Sequence, residues 1–145
     1  MAEPTGPWRV LIAGGGTGGH VYPGLAIAEE WARRHPDTEV VFVGTERGLE
    51  ATAVPRAGYR LRTIAARGFP RRPGLALLKS IVALAVSLGQ TWRILCEESP
   101  RVVVVTGGYV SGPVAAAAWL LGLPVLLLEQ NAFPGVATRI ASLFA

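Results

Sequence analysis

Four short stretches of this chain read as nearly continuous apolar runs: residues 8–13 (WRVLIA), 39–44 (EVVFVG), 101–106 (RVVVVT) and 124–129 (PVLLLE). A strand with one wet face alternates apolar and polar residues, whereas a strand covered on both faces has no reason to. The segments between the runs carry helical spacing or turn residues. Residues 23 to about 34 repeat apolar side chains at Leu25, Ala28 and Ala32, and HPD (35–37) stops them. Residues 46–54 predict a short helix closed by Pro55 and Gly58, residues 75 to about 97 a long apolar helix, 114–121 another, and 136–144 the start of a last one. Residues 59–64 (YRLRTI) alternate, as in a half-exposed strand, and the Pro, Gly and Arg content of 65–74 makes a loop. Strands alternating with helices, buried on both faces, predict an α/β fold: a Rossmann-like, doubly wound parallel sheet. At 145 residues, 50% of them hydrophobic, one domain can bury a sizeable core. Residues 102–128 carry no charge, but TGGYVSGP and GLP break them up. A membrane-spanning helix needs about 20 predominantly apolar residues in one piece.

Doubly wound sheets bind ligands beyond the carboxyl ends of their strands. Three polar or glycine-rich loops follow such ends here. In the first, GGGTGGH, Gly14, Gly16 and Gly19 fit G-x-G-x-x-G between a strand and a helix. That pattern lets backbone N–H groups approach phosphate oxygens at a helix N-terminus. A nicotinamide dinucleotide also wants an acidic residue at the end of the second strand, where Gly44 and Thr45 stand and Glu46 comes late. His20 ends the loop. The positive end of a helix dipole disfavours imidazolium, so a neutral imidazole there can serve as general base, or can merely cap or hydrogen-bond. His35 reads as a solvated helix end. In the second loop, GGYVSGP, Gly107 and Gly108 permit close backbone approach and Tyr109 can stack on a sugar or pack locally. Ser111 is expected to cap the following helix, with Pro113 in its first turn. The third loop opens with EQN (129–131): Glu129 can act as a base or orient one, and Asn131 can bind a hydroxyl or shape the turn.

Net charge is +4, which suits phosphates, anionic lipid or nucleic acid. Aromatic residues interleaved with basic ones are sparse, which disfavours nucleic acid. Charged residues make up 17% of the chain, low enough to suggest an apolar surface kept for a partner or a membrane. Cys96 is the single cysteine, which excludes an internal disulfide and a Cys-based metal site and fits a reducing compartment. MAEPTGPWRV has no signal-peptide pattern. A basic and apolar cluster, Phe69, Leu75, Leu77, Leu78 and Ile81 beside Arg67, Arg71, Arg72 and Lys79, has the composition of a peripheral membrane-docking patch, or of a helix whose apolar residues, Ile81 among them, face the core.

GGGTGGHVYPGLAIAEE, GGYVSGP and EQNAFPG, in this order and spacing, resemble the MurG family, the UDP-N-acetylglucosamine:lipid I N-acetylglucosaminyltransferases of peptidoglycan synthesis. The resemblance implies the N-terminal half of a GT-B glycosyltransferase, in which two Rossmann-like domains face each other across a cleft. Residues 1–145 would be the acceptor-side domain, cut before its last strands, without the donor-binding domain and inactive alone. It further implies an inverting transfer of N-acetylglucosamine to the 4-hydroxyl of N-acetylmuramic acid in lipid I, with His20 and Glu129 as catalytic candidates. Thr17, Gly18, Gly19 and Asn131 would reach the donor. Gly15, Gly16, Gly107, Gly108, Tyr109, Ser111 and Gly112 would hold the acceptor diphosphate. Phe69, Arg71, Arg72, Leu75, Leu78 and Lys79 would dock on the inner face of an anionic cytoplasmic membrane. No metal or cofactor and no nucleic acid partner is implied. One departure is Leu128, where the family often has a histidine. Two other readings stay open: a dinucleotide-binding domain of an NAD-type oxidoreductase, and a non-catalytic membrane-docking subunit of a split glycosyltransferase.

Overall fold

The computed structural model of the chain describes residues 7–68 and 74–145. Its strands are β1 (Arg9–Gly14), β2 (Glu39–Gly44), β3 (Arg60–Thr63), β4 (Val102–Gly107) and β5 (Val125–Leu127). They form one parallel sheet in the order β3-β2-β1-β4-β5. Ile12 at the centre pairs with Phe42 on one side and Val104 on the other. Val10 and Ile12 pack towards Val21 and Ala28 of α1 (Gly18–Arg34) and Val54 of α2 (Glu50–Arg56). Leu11 and Ala13 pack in the opposite cluster. That cluster includes Ile94 and Leu95 of α3 (Leu75–Glu98), Val114 and Ala118 of α4 (Ser111–Leu120), and Ala141 of α5 (Val136–Ala141). Both faces of β1 are therefore dry, which is why its sequence does not alternate.

The strand order reverses at β1 and β4. The chain steps outward from β1 through β2 to β3, then returns to the other side of β1. The loops after these two strands part in opposite directions and leave the crevice where such sheets bind ligands. Residues 14–17 and 108–110 stand there.

The element boundaries differ from the sequence expectations at the loops. α1 starts at Gly18 rather than Pro23, so His20 lies in its first turn. α4 starts at Ser111, one turn earlier than expected. α2 covers 50–56 instead of 46–54, because residues 45–48 form a turn around the Glu50 side chain. The far edge of the sheet is tied by charge: Glu98, buried at the end of α3, accepts from Arg60 and Arg62, each at 2.6 Å.

α3 is long and apolar enough to cross a membrane by length and composition, with mean hydropathy 1.5 over its most apolar 18 residues. Its two halves behave differently. Ser87, Thr91, Ile94, Leu95 and Glu98 recur every three or four residues and are buried. In the first half Leu75, Leu78, Ile81, Val82 and Val86 are exposed.

Candidate functional site

The two glycine loops pack directly on each other. Gly15 N–H donates to the Gly107 carbonyl at 3.3 Å. Gly107 has φ +118°, and a side chain there would run into the His20 imidazole. Thr106, the residue before it, holds His20 at two points, one on its backbone and one on its ring. Its hydroxyl donates to the His20 carbonyl at 2.7 Å, and its own carbonyl lies 3.1 Å from His20 Nδ1. A carbonyl oxygen only accepts, so Nδ1 carries the proton in this contact and Nε2 of the neutral ring is left with its lone pair. Gln130 Nε2 donates to the same Thr106 carbonyl at 3.0 Å. His20 is half-buried and held through Nδ1.

The sequence reading missed Glu50. Its side chain is fully buried beneath the first loop. It accepts from Gly16 N–H at 2.9 Å and from the Thr45 N–H and hydroxyl, each at 2.7 Å. Burial alone would raise its carboxyl; the hydrogen bonds from Gly16 and Thr45 outweigh burial and hold it below the ordinary carboxylate range. The amides of Gly15 and Gly16 are thus both spent inside the protein. They are not the free phosphate donors that the G-x-G-x-x-G pattern suggested. The amides of Gly18 and Gly19, in the first turn of α1, precede any intrahelical acceptor.

In the second loop Ser111 does not cap α4. Val110 holds the N-cap position, Ser111 is the first helical residue, and its buried Oγ has no hydrogen-bond partner. Ser111 N–H donates instead to the Gly108 carbonyl at 3.2 Å. Pro113 lies in the first turn as expected, and Gly112 beside it is half-buried. Tyr109 stands 57% exposed with its ring against Gly68.

In the third loop Glu129 is occupied. Its Oε1 accepts from the Asn131 N–H at 2.9 Å and from Asn131 Nδ2 at 2.8 Å. The Asn131 backbone bond, then the Thr138 hydroxyl, hold this carboxyl below its usual range. A carboxylate so stabilised is a poor proton acceptor. Glu129 orders the turn and holds Asn131 in place. Leu128 is exposed, and its N–H continues the pairing to Val105 at 2.8 Å.

Thr17 and Gly19 are exposed and Gly18 half-buried at the rim, on the side of the loops where His20 lies. No group of three or more potential metal ligands occurs among the described residues. Of the docking patch, Leu75, Leu78 and Lys79 are exposed at the start of α3, while Phe69, Arg71 and Arg72 lie outside the described residues. The site is an open wall. A groove of about 450 Å³ between Ala26 and His35 lies on the outer side of α1, well away from the loops.

Comparison with known proteins places this wall. Residues 10–145 match the glycosyltransferase family 28 N-terminal domain. The chain is 52% identical over 132 residues to a Myxococcus xanthus protein named UDP-N-acetylglucosamine–N-acetylmuramyl-(pentapeptide) pyrophosphoryl-undecaprenol N-acetylglucosamine transferase; the match covers 91% of this chain and 34% of that protein. A Moorella thermoacetica protein of the same name is 52% identical, over 94% of this chain and 37% of the relative. The chain thus spans about a third of the length of the curated relatives it matches. Among solved structures, Acinetobacter baumannii MurG superposes with a TM-score of 0.82 at 30% identity, over 96% of this chain and 40% of that one. The Streptomyces glycosyltransferase SsfS6, at 18% identity and TM-score 0.63, shares the fold.

Proposed function

The chain belongs to glycosyltransferase family 28, as an N-terminal domain of that family, and from this we propose that it forms the acceptor-side wall of a transferase. The enzyme would move N-acetylglucosamine from its UDP carrier to the muramyl sugar of an undecaprenyl-pyrophosphate acceptor. The observation that carries the reading is the half-buried His20 imidazole, pinned through Nδ1 to Thr106 where the two glycine loops meet, which leaves Nε2 outside that contact. In the transfer, the acceptor 4-hydroxyl oxygen forms a bond to the anomeric carbon while the bond from that carbon to the UDP oxygen breaks, with inversion. The hydroxyl proton passes to His20 Nε2. The imidazolium so formed keeps its hydrogen bond to Thr106 and lies within the field of the Glu129 carboxylate. The electron pair of the broken bond leaves on UDP.

The other residues divide by place. The free amides at Gly18 and Gly19, with Thr17 and with Asn131 held by Glu129, serve the donor. The second loop, Gly107 to Gly112 with the exposed Tyr109, serves the acceptor diphosphate. The NAD reading is weakened by Glu50, whose carboxylate already holds the Gly16 amide. The test is isothermal binding with three probes: an N-acetylmuramyl pyrophosphoryl lipid analogue, UDP-N-acetylglucosamine and NAD. Binding of the lipid analogue with no binding of NAD is expected. NAD binding without any for the lipid analogue would contradict the assignment.

The exposed start of α3 supports peripheral docking on the cytoplasmic face of the membrane. Leu75 and Leu78 would enter the interface while the exposed Lys79 meets anionic headgroups. Each basic residue near such a surface contributes about 1 kcal/mol. Lys79→Glu is therefore expected to weaken binding to phosphatidylglycerol vesicles at least about fivefold, with the effect fading at high salt. Equal binding to anionic and neutral vesicles would remove the electrostatic part of this docking.

A further inference from the structure

Glu50 is a buried carboxylate that takes part in no ion pair among the described residues. Burying a charge is costly unless dipoles replace the lost water. Here they come from two directions: the Gly16 amide of the first loop, and the amide and hydroxyl of Thr45 at the end of β2. The surrounding chain makes room for it. At Gly15 in the first loop, and at Gly44 and Gly48 at the end of β2 and in the turn after it, an added Cβ would collide with the Glu50 side chain. A side chain that only filled space would not need an acceptor aimed at a glycine-loop amide. In G-x-G-x-x-G loops that bind nucleotides, amides of this kind face a phosphate.

We propose that Glu50 is a positioning residue, an internal anion that occupies the Gly16 amide in place of a ligand phosphate and fixes the first loop against the second. The fixed loop presses Gly15 onto Gly107, and Gly107 in turn abuts the His20 ring. Glu50 thereby sets where the imidazole stands, and it confines any substrate anion to the outer amides of Gly18 and Gly19 and to the second loop. The effect on His20 rests on the transferase reading above; the contact with Gly16 does not.

Two measurements test this separately. The first uses ¹⁵N-glycine labelling of the wild-type protein. The Gly16 amide resonance is expected far downfield and should follow a single ionisation below the ordinary glutamate range. A Gly16 amide that exchanges freely with water, or that ignores pH, overturns the proposal without any variant. The second is kinetic, in the transferase carrying this domain. Glu50→Gln keeps the shape and removes the charge. It should lower kcat about 10- to 100-fold through misplacement of the base, with KM for the sugar donor changed less than about twofold. Unchanged kcat, or a loss confined to KM, overturns the positioning role. If the wild-type enzyme transfers no sugar, the transferase reading fails, and the Gly16 resonance still decides the place of Glu50.

Discussion

Replacing His20 by alanine in the transferase carrying this domain should lower kcat about 10²- to 10⁴-fold while leaving donor affinity nearly unchanged. That loss corresponds to about 3–5 kcal/mol of barrier. The imidazole is bonded to Thr106 through Nδ1, and in the proposed transfer its other nitrogen takes the substrate proton. Its removal takes away a proton acceptor that matters only as the hydroxyl attacks, which is the pattern of a transition-state loss. His20→Gln separates the two jobs of the ring. A glutamine amide can donate to the Thr106 carbonyl but cannot take a proton at neutral pH. It should be about as slow as alanine. A glutamine variant within a few-fold of wild type would make His20 a hydrogen-bonding anchor instead of a base.

Gly107→Ala should be nearly as damaging, by a different route. At φ +118° an L side chain is strained by about 1–3 kcal/mol. The new methyl group would also occupy the position of the His20 ring, so either the imidazole or the second loop must move. We expect a stability loss of about 1–3 kcal/mol in urea unfolding, together with a kcat loss of at least about 10²-fold. The pairing of effects is the diagnostic. Strain alone would lower stability and spare kcat in the folded fraction. Displacement of the base lowers kcat even where the protein remains folded. A variant with wild-type kcat would show that the contact between the two glycine loops does not hold the base.

The sheet was legible because its chemistry is local and repetitive. Runs such as VVVV (102–105) have few alternatives once both faces are buried. The loops were legible as ligand-facing because glycines crowd where strands end. What failed was the detail that depends on distant partners. Gly18 and Gly19 are poor helix formers, so propensity starts α1 at Pro23, yet the helix starts at Gly18. Ser111 looks like a cap by residue type, but the helix begins on it and buries its hydroxyl. Glu129 and Asn131 looked like two independent functional groups and turned out to be bonded to each other. Glu50 is hidden in the sequence because it sits six positions after Gly44, beyond the strand end, and folds back beneath Gly16. Glycines at 44 and 48 just ahead of a glutamate were the available signal: they clear the space its carboxylate fills.

The central claim is that a neutral His20 accepts the acceptor proton during sugar transfer, and the dependence of kcat on pH tests it most directly. Glu50 and Glu129 are both held below the ordinary carboxylate range, so neither changes charge near neutrality. A base that must be unprotonated makes kcat fall as pH is lowered. With radiolabelled UDP-N-acetylglucosamine and a lipid-linked acceptor, the wild-type enzyme should show that acid limb. His20→Ala should retain a small residual rate from which the limb has vanished. The same acid limb in the alanine variant would place the proton acceptor elsewhere and contradict the account.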